Sequence, residues 1–212
     1  MKNSNNKNVL LIALLTAGLF GAASSQAATI PANIFDFTAD ATTATLSVKA
    51  KGWRDPAFGD MGWTHSSAWA TFTTTKKNQM VTIKMTAADA GIHPGITVWY
   101  RGADDTVENK YVVDHFYPQN ANFTKFGVTD ETTGAKLGNI VMRHVTHAFD
   151  VDGTKSIRGM GPVKDSVSGE LVISFKAPQK GDYMFTVGGV NPDASVDLTV
   201  AHDVDVSVTL AP

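Results

Sequence analysis

Hydrophobic and polar residues alternate along several short segments of the chain. In residues 44–50, Leu46 and Val48 fall on one face of an extended segment, whereas Ser47 and Lys49 fall on the other. A period of two residues is typical of a β-strand with one buried face. Similar patterns, rich in Thr, Val, Ile and aromatic residues, recur in residues 67–75, 79–86, 95–101, 110–118, 139–151, 169–176, 182–190 and 195–210.

Gly, Pro, Asn and Asp separate these segments at short intervals, and no long helical period occurs beyond the N-terminal segment. The pattern predicts an all-β fold, namely an antiparallel β-sandwich or barrel-like single domain with long loops. We expect residues 67–75 and 79–86 to pair as a hairpin. Residues 118–138, rich in Asn, Thr, Gly and Asp, are predicted to be a loop.

Residues 1–27 have the pattern of a secretory signal peptide. Two lysines precede an apolar run at residues 9–23, and Ser25-Gln26-Ala27 follows it as a small-x-small cleavage pattern. The run is shorter than the roughly 20 apolar residues that a membrane-spanning helix needs. We therefore predict an exported protein whose mature domain is residues 28–212, without a transmembrane span, either secreted or held at the cell surface.

The composition excludes several classes of function. The mature chain is mildly acidic, which gives no electrostatic basis for nucleic-acid binding. Cysteine is absent, so disulfides, thiolate nucleophiles and cysteine-ligated blue-copper centres are excluded. The common hydrolase, metalloprotease and phosphate-binding motifs are missing as well, and we predict that the protein is not an enzyme.

A candidate metal site centres on Trp63-Thr64-His65, because residues two apart in an extended segment point to the same face. The imidazole of His65 is a good ligand for copper or zinc, and His115, in another predicted strand, is the favoured further ligand. An intact indole N–H only donates hydrogen bonds, so an unmodified Trp63 is no ligand. The alternative to a metal site is that Trp63 packs in the core and that both histidines are ordinary surface or hydrogen-bonded residues.

The other four histidines are predicted not to bind metal. His144 and His147 are three residues apart, so on a strand they are expected to point to opposite faces. His93 precedes a proline and His202 lies in the last predicted strand, and neither has a partner nearby in the sequence.

The acidic segment Asp150-Val151-Asp152-Gly153 is similar to the start of a calcium-binding loop. It lacks the further oxygen ligands and the closing glutamate of an EF-hand. A polar turn is therefore the favoured interpretation, and a calcium ion there, or at Asp203 and Asp205, is the less favoured one.

A Trp-x-His motif and a distant single histidine, in an exported chain without cysteine, resemble the copper-repressible, surface-associated copper-binding proteins of methane-oxidising bacteria, the CorA/MopE family. The chain length and the 50-residue separation of His65 and His115 resemble the CorA members most closely. The resemblance implies one Cu(I) ion bound by His65, His115 and a kynurenine formed by oxidation of Trp63. It further implies a role in copper acquisition, with an outer-membrane or cell-surface component as partner.

Two other classes of function stay open. One is a metal-free β-sandwich that acts as a surface or adhesion module, which metal analysis of protein from the native host would identify. The other is a small copper or zinc enzyme that uses the same ligands with an open coordination position. Such an enzyme would turn over a substrate, and metal removal would abolish the turnover.

Overall fold

The computed structural model describes residues 34–49, 67–115, 122–153, 161–190, 196–197 and 199–212 of the chain. Its elements, in chain order, are Phe35–Phe37 (β1), Thr43–Lys49 (β2), Ala68–Thr74 (β3), Met80–Ala87 (β4), His93–Arg101 (β5), Asn109–His115 (α1), Phe123–Thr129 (β6), Lys136–Asp150 (β7), Pro162–Val163 (β8), Glu170–Lys176 (β9), Gly181–Val190 (β10) and Ala201–Leu210 (β11).

These strands form two sheets. Within the described residues, the larger sheet has seven strands in the order β1-β3-β10-β5-β7-β6, with β8 beside β7, and the smaller has four in the order β2-β11-β4-β9. Neighbouring strands are antiparallel except for β1 with β3 and β8 with β7. The arrangement confirms the predicted all-β, sandwich-like or barrel-like fold.

The main core lies between the two sheets. Alternate residues of the larger sheet, such as Phe72, Val98 and Phe185, meet alternate residues of the smaller sheet, such as Ile83 and Val206. All five are almost completely buried. Burial of each such side chain stabilises the fold by about 1.5–3 kcal/mol, which explains why the period of two residues identifies these strands.

The predicted hairpin between residues 67–75 and 79–86 is wrong. These residues form β3 and β4, but β3 pairs with β1 and β10 in the larger sheet, whereas β4 pairs with β9 and β11 in the smaller one. The short connection crosses from one sheet to the other, so that Phe72 and Ile83 enter the core from opposite sides. Alternation shows which face of a strand is buried, but it does not identify the neighbouring strand.

The predicted loop at residues 118–138 is also wrong in part, because it contains β6. This strand pairs with β7, and the register shifts between Lys125 and Val128. Gly127, in the shifted part, has a φ of 64°. A left-handed glycine and an irregular register break the alternation of side chains, which conceals the strand in the sequence.

His202 joins three segments beside the smaller sheet. Its Nδ1 is 2.6 Å from Oδ2 of Asp89, in the turn after β4, and its Nε2 is 2.7 Å from the carbonyl oxygen of Asp197. The hydrogen bond with Asp89, followed by the bond with Asp197, raises the pKa of His202 above its ordinary value. The folded state therefore favours the doubly protonated ring, which donates from both nitrogens.

This arrangement predicts a pH-dependent stability. Because the pKa of His202 is higher in the folded than in the unfolded chain, its stabilising effect is fully present below about pH 6.5 and is lost as the pH rises through the folded-state value. We expect His202→Gln to lower the free energy of unfolding, measured in urea, by more at about pH 6 than at about pH 8.5.

The exposed neighbour Asp203 provides a control on the same strand. Asp203→Asn should change the free energy of unfolding, relative to wild type, by the same amount at both pH values. An equal effect of His202→Gln at both pH values would contradict the assigned role of the ring.

Candidate metal centre

The described structure contains one of the three residues that the sequence assigns to the metal site. Trp63 and His65 lie outside the described residues, in the part of the chain before β3. His115 is the last residue of α1, and its side chain is outside the described part as well. The convergence of these three residues on one ion therefore stays a prediction.

The predicted strand at residues 110–118 is wrong, because Asn109–His115 forms α1. The carbonyl oxygen of Glu108 accepts hydrogen bonds from the N–H groups of Tyr111 and Val112, at 3.0 and 3.3 Å. Val112 is completely buried, so tertiary packing overrides the strand preference of the valines here.

A buried ion pair fixes the start of α1 to the larger sheet. Arg101, at the end of β5, donates from Nε to Oδ2 of Asp105 at 2.9 Å. Its other N–H groups bond to Oδ1 of Asp105, the carbonyl of Val107 and the side chain of Asn109, the first residue of α1. Asp105 is fully enclosed, and it also accepts the N–H of Val141 in β7 at 3.0 Å. Three elements are thereby locked together.

The larger sheet buries a second apolar cluster on the face that points away from the main core. Trp69 of β3 and Trp99 of β5 stack there, with ring centroids 5.8 Å apart, and Val112 of α1 packs in the same cluster. We name this the outer cluster, and its buried members are Trp69, Trp99, Val107, Val112, Phe123, Val128, Ile140, Met142 and Met184. Two elements that contribute to the outer cluster are close in sequence to the predicted ligands. The strand β3 begins three residues after His65, and α1 ends at His115.

The prediction that His144 and His147 point to opposite faces of a strand is wrong. Nε2 of His144 lies 3.1 Å from Nδ1 of His147, and the two ring centroids are 5.1 Å apart. Both residues are half-buried. Burial, and then the neighbouring ring of His147, lower the pKa of His144 to about 4, so this imidazole is neutral at pH 7.

A β-bulge in β7 brings the two rings together. Val98 and Trp99 are consecutive in β5, yet their partners in β7, Thr146 and His144, are two residues apart. Val145 is therefore an extra residue in the strand, and an extra residue shifts the alternation of side chains by one position. Both histidines consequently share the face of the outer cluster. Nothing in the local sequence marks this bulge.

The main chain at Gly161 lies directly against His147. Gly161 has a φ of 81°, and a Cβ atom built there would be 2.7 Å from the carbonyl oxygen of His147 and 3.0 Å from its Cδ2. Such contacts are too short for any residue with a side chain, and the positive φ also favours glycine. The carbonyl of Gly161 accepts the N–H of Phe149 at 3.1 Å. This close approach fixes one edge of the imidazole.

His93 has a partner that is distant in the sequence. Its Nδ1 is 2.8 Å from Oδ2 of Asp150, and both side chains are almost completely buried. Asp150 also accepts the N–H groups of Gly169 and Asp152, at 2.7 and 2.8 Å. In the described structure, His93 thus ties β5 to the end of β7.

The carboxylates of the Asp150-Val151-Asp152-Gly153 segment are engaged by hydrogen-bond donors. Oδ2 of Asp152 accepts the N–H groups of Asp165 and Ser166, at 2.7 and 2.9 Å. Burial raises the pKa of Asp152, but these hydrogen bonds outweigh it and leave the pKa below its ordinary value. These contacts are those of a polar turn.

The other candidate calcium ligands lie on the exposed side of β11. Asp203 and Asp205 accept hydrogen bonds from Ser47 and Thr45, at 2.7 and 2.6 Å. Across the part of the chain that the structure describes, no three His, Asp or Glu side chains are grouped so as to hold a metal ion. A calcium ion at either place stays a prediction. The same part of the chain contains no helix that is long and apolar enough to span a membrane.

Comparisons with known proteins identify similar sequences and structures. A family model described as copper(I)-binding protein CorA-like matches residues 25–197, a span that includes Trp63, His65 and His115. CorA of Methylomicrobium album BG8, described as a surface-associated copper-binding protein important in copper acquisition, has a similar structure, with a TM-score of 0.70. The two sequences are 31% identical over 84% of this chain and 98% of CorA.

A second solved structure shares the fold. MopE of Methylococcus capsulatus, described as a secreted protein in which an oxidized tryptophan facilitates copper binding, has a TM-score of 0.53 and 16% identity over 83% of this chain and 87% of MopE. A search of curated protein sequences finds no match.

The Arg101 anchor gives a test of how α1 is held. Loss of the guanidinium leaves the enclosed Asp105 without its charged partner, and breaking a buried ion pair is destabilising by about 3–5 kcal/mol. We expect Arg101→Gln to lower the melting temperature by roughly 6–20 °C, at about 2–4 °C per kcal/mol for a chain of this size.

A matched control is Arg143→Gln, because Arg143 is exposed and lies 3.5 Å from the exposed Asp104. Surface ion pairs contribute about 0–1 kcal/mol, so this variant should melt within about 4 °C of wild type. Equal melting temperatures for the two variants would rule out the anchoring role of Arg101.

Proposed function

The chain belongs to the family of CorA-like copper(I)-binding proteins, and we propose that it binds one copper ion, as Cu(I), outside the cell for copper acquisition. The observation that carries the proposal is the family match over residues 25–197, which includes every proposed ligand. The similarity to CorA, described as important in copper acquisition, covers nearly the whole of that protein and supports the same role.

We assign His65 and His115 as the two imidazole ligands of this ion, and Trp63, oxidised to kynurenine, as the third. The nitrogen of an intact indole has no lone pair for a metal, because it is delocalised into the ring. Opening of the ring to kynurenine, with dioxygen as the oxidant and water releasing the lost carbon as formate, exposes an aromatic amine, with a net gain of one oxygen atom and loss of one carbon atom. The description of MopE, in which an oxidized tryptophan facilitates copper binding, supports this assignment.

The positions of the other tryptophans also favour Trp63 as the residue that is oxidised. Of the four tryptophans, Trp63 alone has a histidine two residues away. Trp69 and Trp99 are each 1% exposed and stack in the outer cluster, so packing accounts for them. A ligand also benefits from a rigid support, and the Arg101 anchor gives α1, which ends at His115, such a support.

The absence of cysteine shapes the chemistry of this proposed site. Imidazole binds copper in both oxidation states as well as zinc, so selectivity for Cu(I) would come from the geometry of the set and from the aromatic amine. We propose a binding role without catalysis, in line with the description of CorA and MopE as copper-binding proteins. Their surface-associated and secreted locations, with the predicted signal peptide, support export and a partner in the outer membrane or at the cell surface.

Peptide mass spectrometry of protein from the native host tests the assignment. We expect the peptide that contains Trp63 to be heavier by about 4 Da, and the same sample to hold close to one copper per chain. Trp63→Phe, His65→Ala and His115→Ala should each lose copper, whereas Trp53→Phe should keep it.

Two results would contradict the proposal. Full copper content in His115→Ala would exclude that residue as a ligand. An unmodified Trp63 in protein without copper would instead favour a metal-free β-sandwich module.

A further inference from the structure

We propose that His144 and His147 form a second metal site, which takes a divalent transition-metal ion such as Zn(II) or Cu(II) and is separate from the proposed Cu(I) site. The observation behind it is the direct approach of the two rings, with Nε2 of His144 at 3.1 Å from Nδ1 of His147. Neither ring contributes to the three-ligand set built on Trp63, His65 and His115.

The spacing of the two nitrogens suits a chelated divalent ion. Metal–imidazole bonds are about 2.0–2.1 Å long, so an ion bound to two nitrogens 3.1 Å apart would have an N–metal–N angle of about 100°. That angle lies between the square-planar and tetrahedral values preferred by Cu(II) and Zn(II). Linear two-coordinate Cu(I) would need a separation of about 4 Å, twice one bond length, and is disfavoured by this spacing.

Both rings present a lone pair to an ion after one proton moves within a ring. In the hydrogen bond between the rings, one facing nitrogen carries a proton and the other presents a lone pair. Transfer of that proton to the other nitrogen of the same ring frees both facing lone pairs for the ion.

The main chain holds both rings in place before any ion binds. The bulge at Val145 sets their shared face, and bulges commonly re-aim side chains beside functional sites. The backbone N–H of His144 donates to the side chain of Asn122 at 3.0 Å, and Gly161 packs against the edge of His147. Both residues are half-buried, and water would supply the remaining coordination positions of such an ion.

Zinc titration of copper-loaded protein from the native host tests this site. Calorimetry and metal analysis after dialysis should show one Zn(II) per chain in addition to the copper already present. His144→Ala and His147→Ala should each weaken zinc binding by at least tenfold, because loss of even a partner behind a ligand weakens metal binding about 10–100-fold. Both variants should keep copper and the mass shift at Trp63.

Thr146→Ala is the matched control, since Thr146 lies between the two histidines on the other face of β7, and its zinc affinity should equal that of wild type. Electron paramagnetic resonance of added Cu(II) gives an independent readout on unaltered protein. Its spectrum should show hyperfine coupling to two imidazole nitrogens at the added ion.

Three outcomes would overturn the second site: no zinc uptake by wild type, unchanged zinc affinity in both histidine variants, or loss of the original copper together with zinc in those variants. The two proposals fail separately. Protein that arrives without copper but still binds zinc through His144 and His147 would refute only the Cu(I) assignment.

Discussion

Burial of both faces of the larger sheet is the constraint on which the rest of this structure depends. In β5, Ile96 and Val98 point into the main core, whereas Thr97 and Trp99 point to the opposite side, and all four are at most 1% exposed. A strand with apolar side chains on both faces needs a cover on each. The smaller sheet covers one face, and α1 packs on the other.

The outer face also carries His144 and His147, and the helix α1, which ends at His115, packs on it. Burial of each tryptophan of the stacked pair removes about 150–250 Å² from water, or roughly 4–6 kcal/mol of transfer free energy. The outer cluster is thus a stable base, and irregular segments that adjoin such a base commonly carry function. Without disulfides, polar contacts such as Arg101 with Asp105, and His93 with Asp150, hold those segments to the sheet.

The sequence predicted the positions of most strands because alternation reports which face of a segment is buried. It did not predict which strands pair, since β3 and β4 are adjacent in the chain and yet enter the core from opposite sheets. The helix α1 was missed because its valines favour a strand until Val112 finds a buried position. In β6 the irregular register hides the pattern, whereas β7 was predicted and its bulge concealed only the contact between His144 and His147.

The candidate ligands Trp63, His65 and His115 came from a motif and a family resemblance, because no local pattern reveals where separate segments converge. The family match supports the resemblance, whereas the geometry of the three residues depends on parts of the chain outside the described structure. The histidine pair shows the opposite case. Its geometry is fixed by the register of β5 and β7, and no sequence motif marks it.

A protein without cysteine lacks the soft thiolate ligand, so it has to discriminate between metal ions by the geometry of its ligands. Imidazole accepts Cu(I), Cu(II) and Zn(II) alike, so the distance between ligand nitrogens decides which ion is favoured. In this protein the main chain controls that distance: a single extra residue, Val145, brings two rings to 3.1 Å, whereas the Arg101 anchor fixes the helix that ends at His115. In a regular strand of the same sequence without the bulge, His147 would face the main core and the pair would not exist.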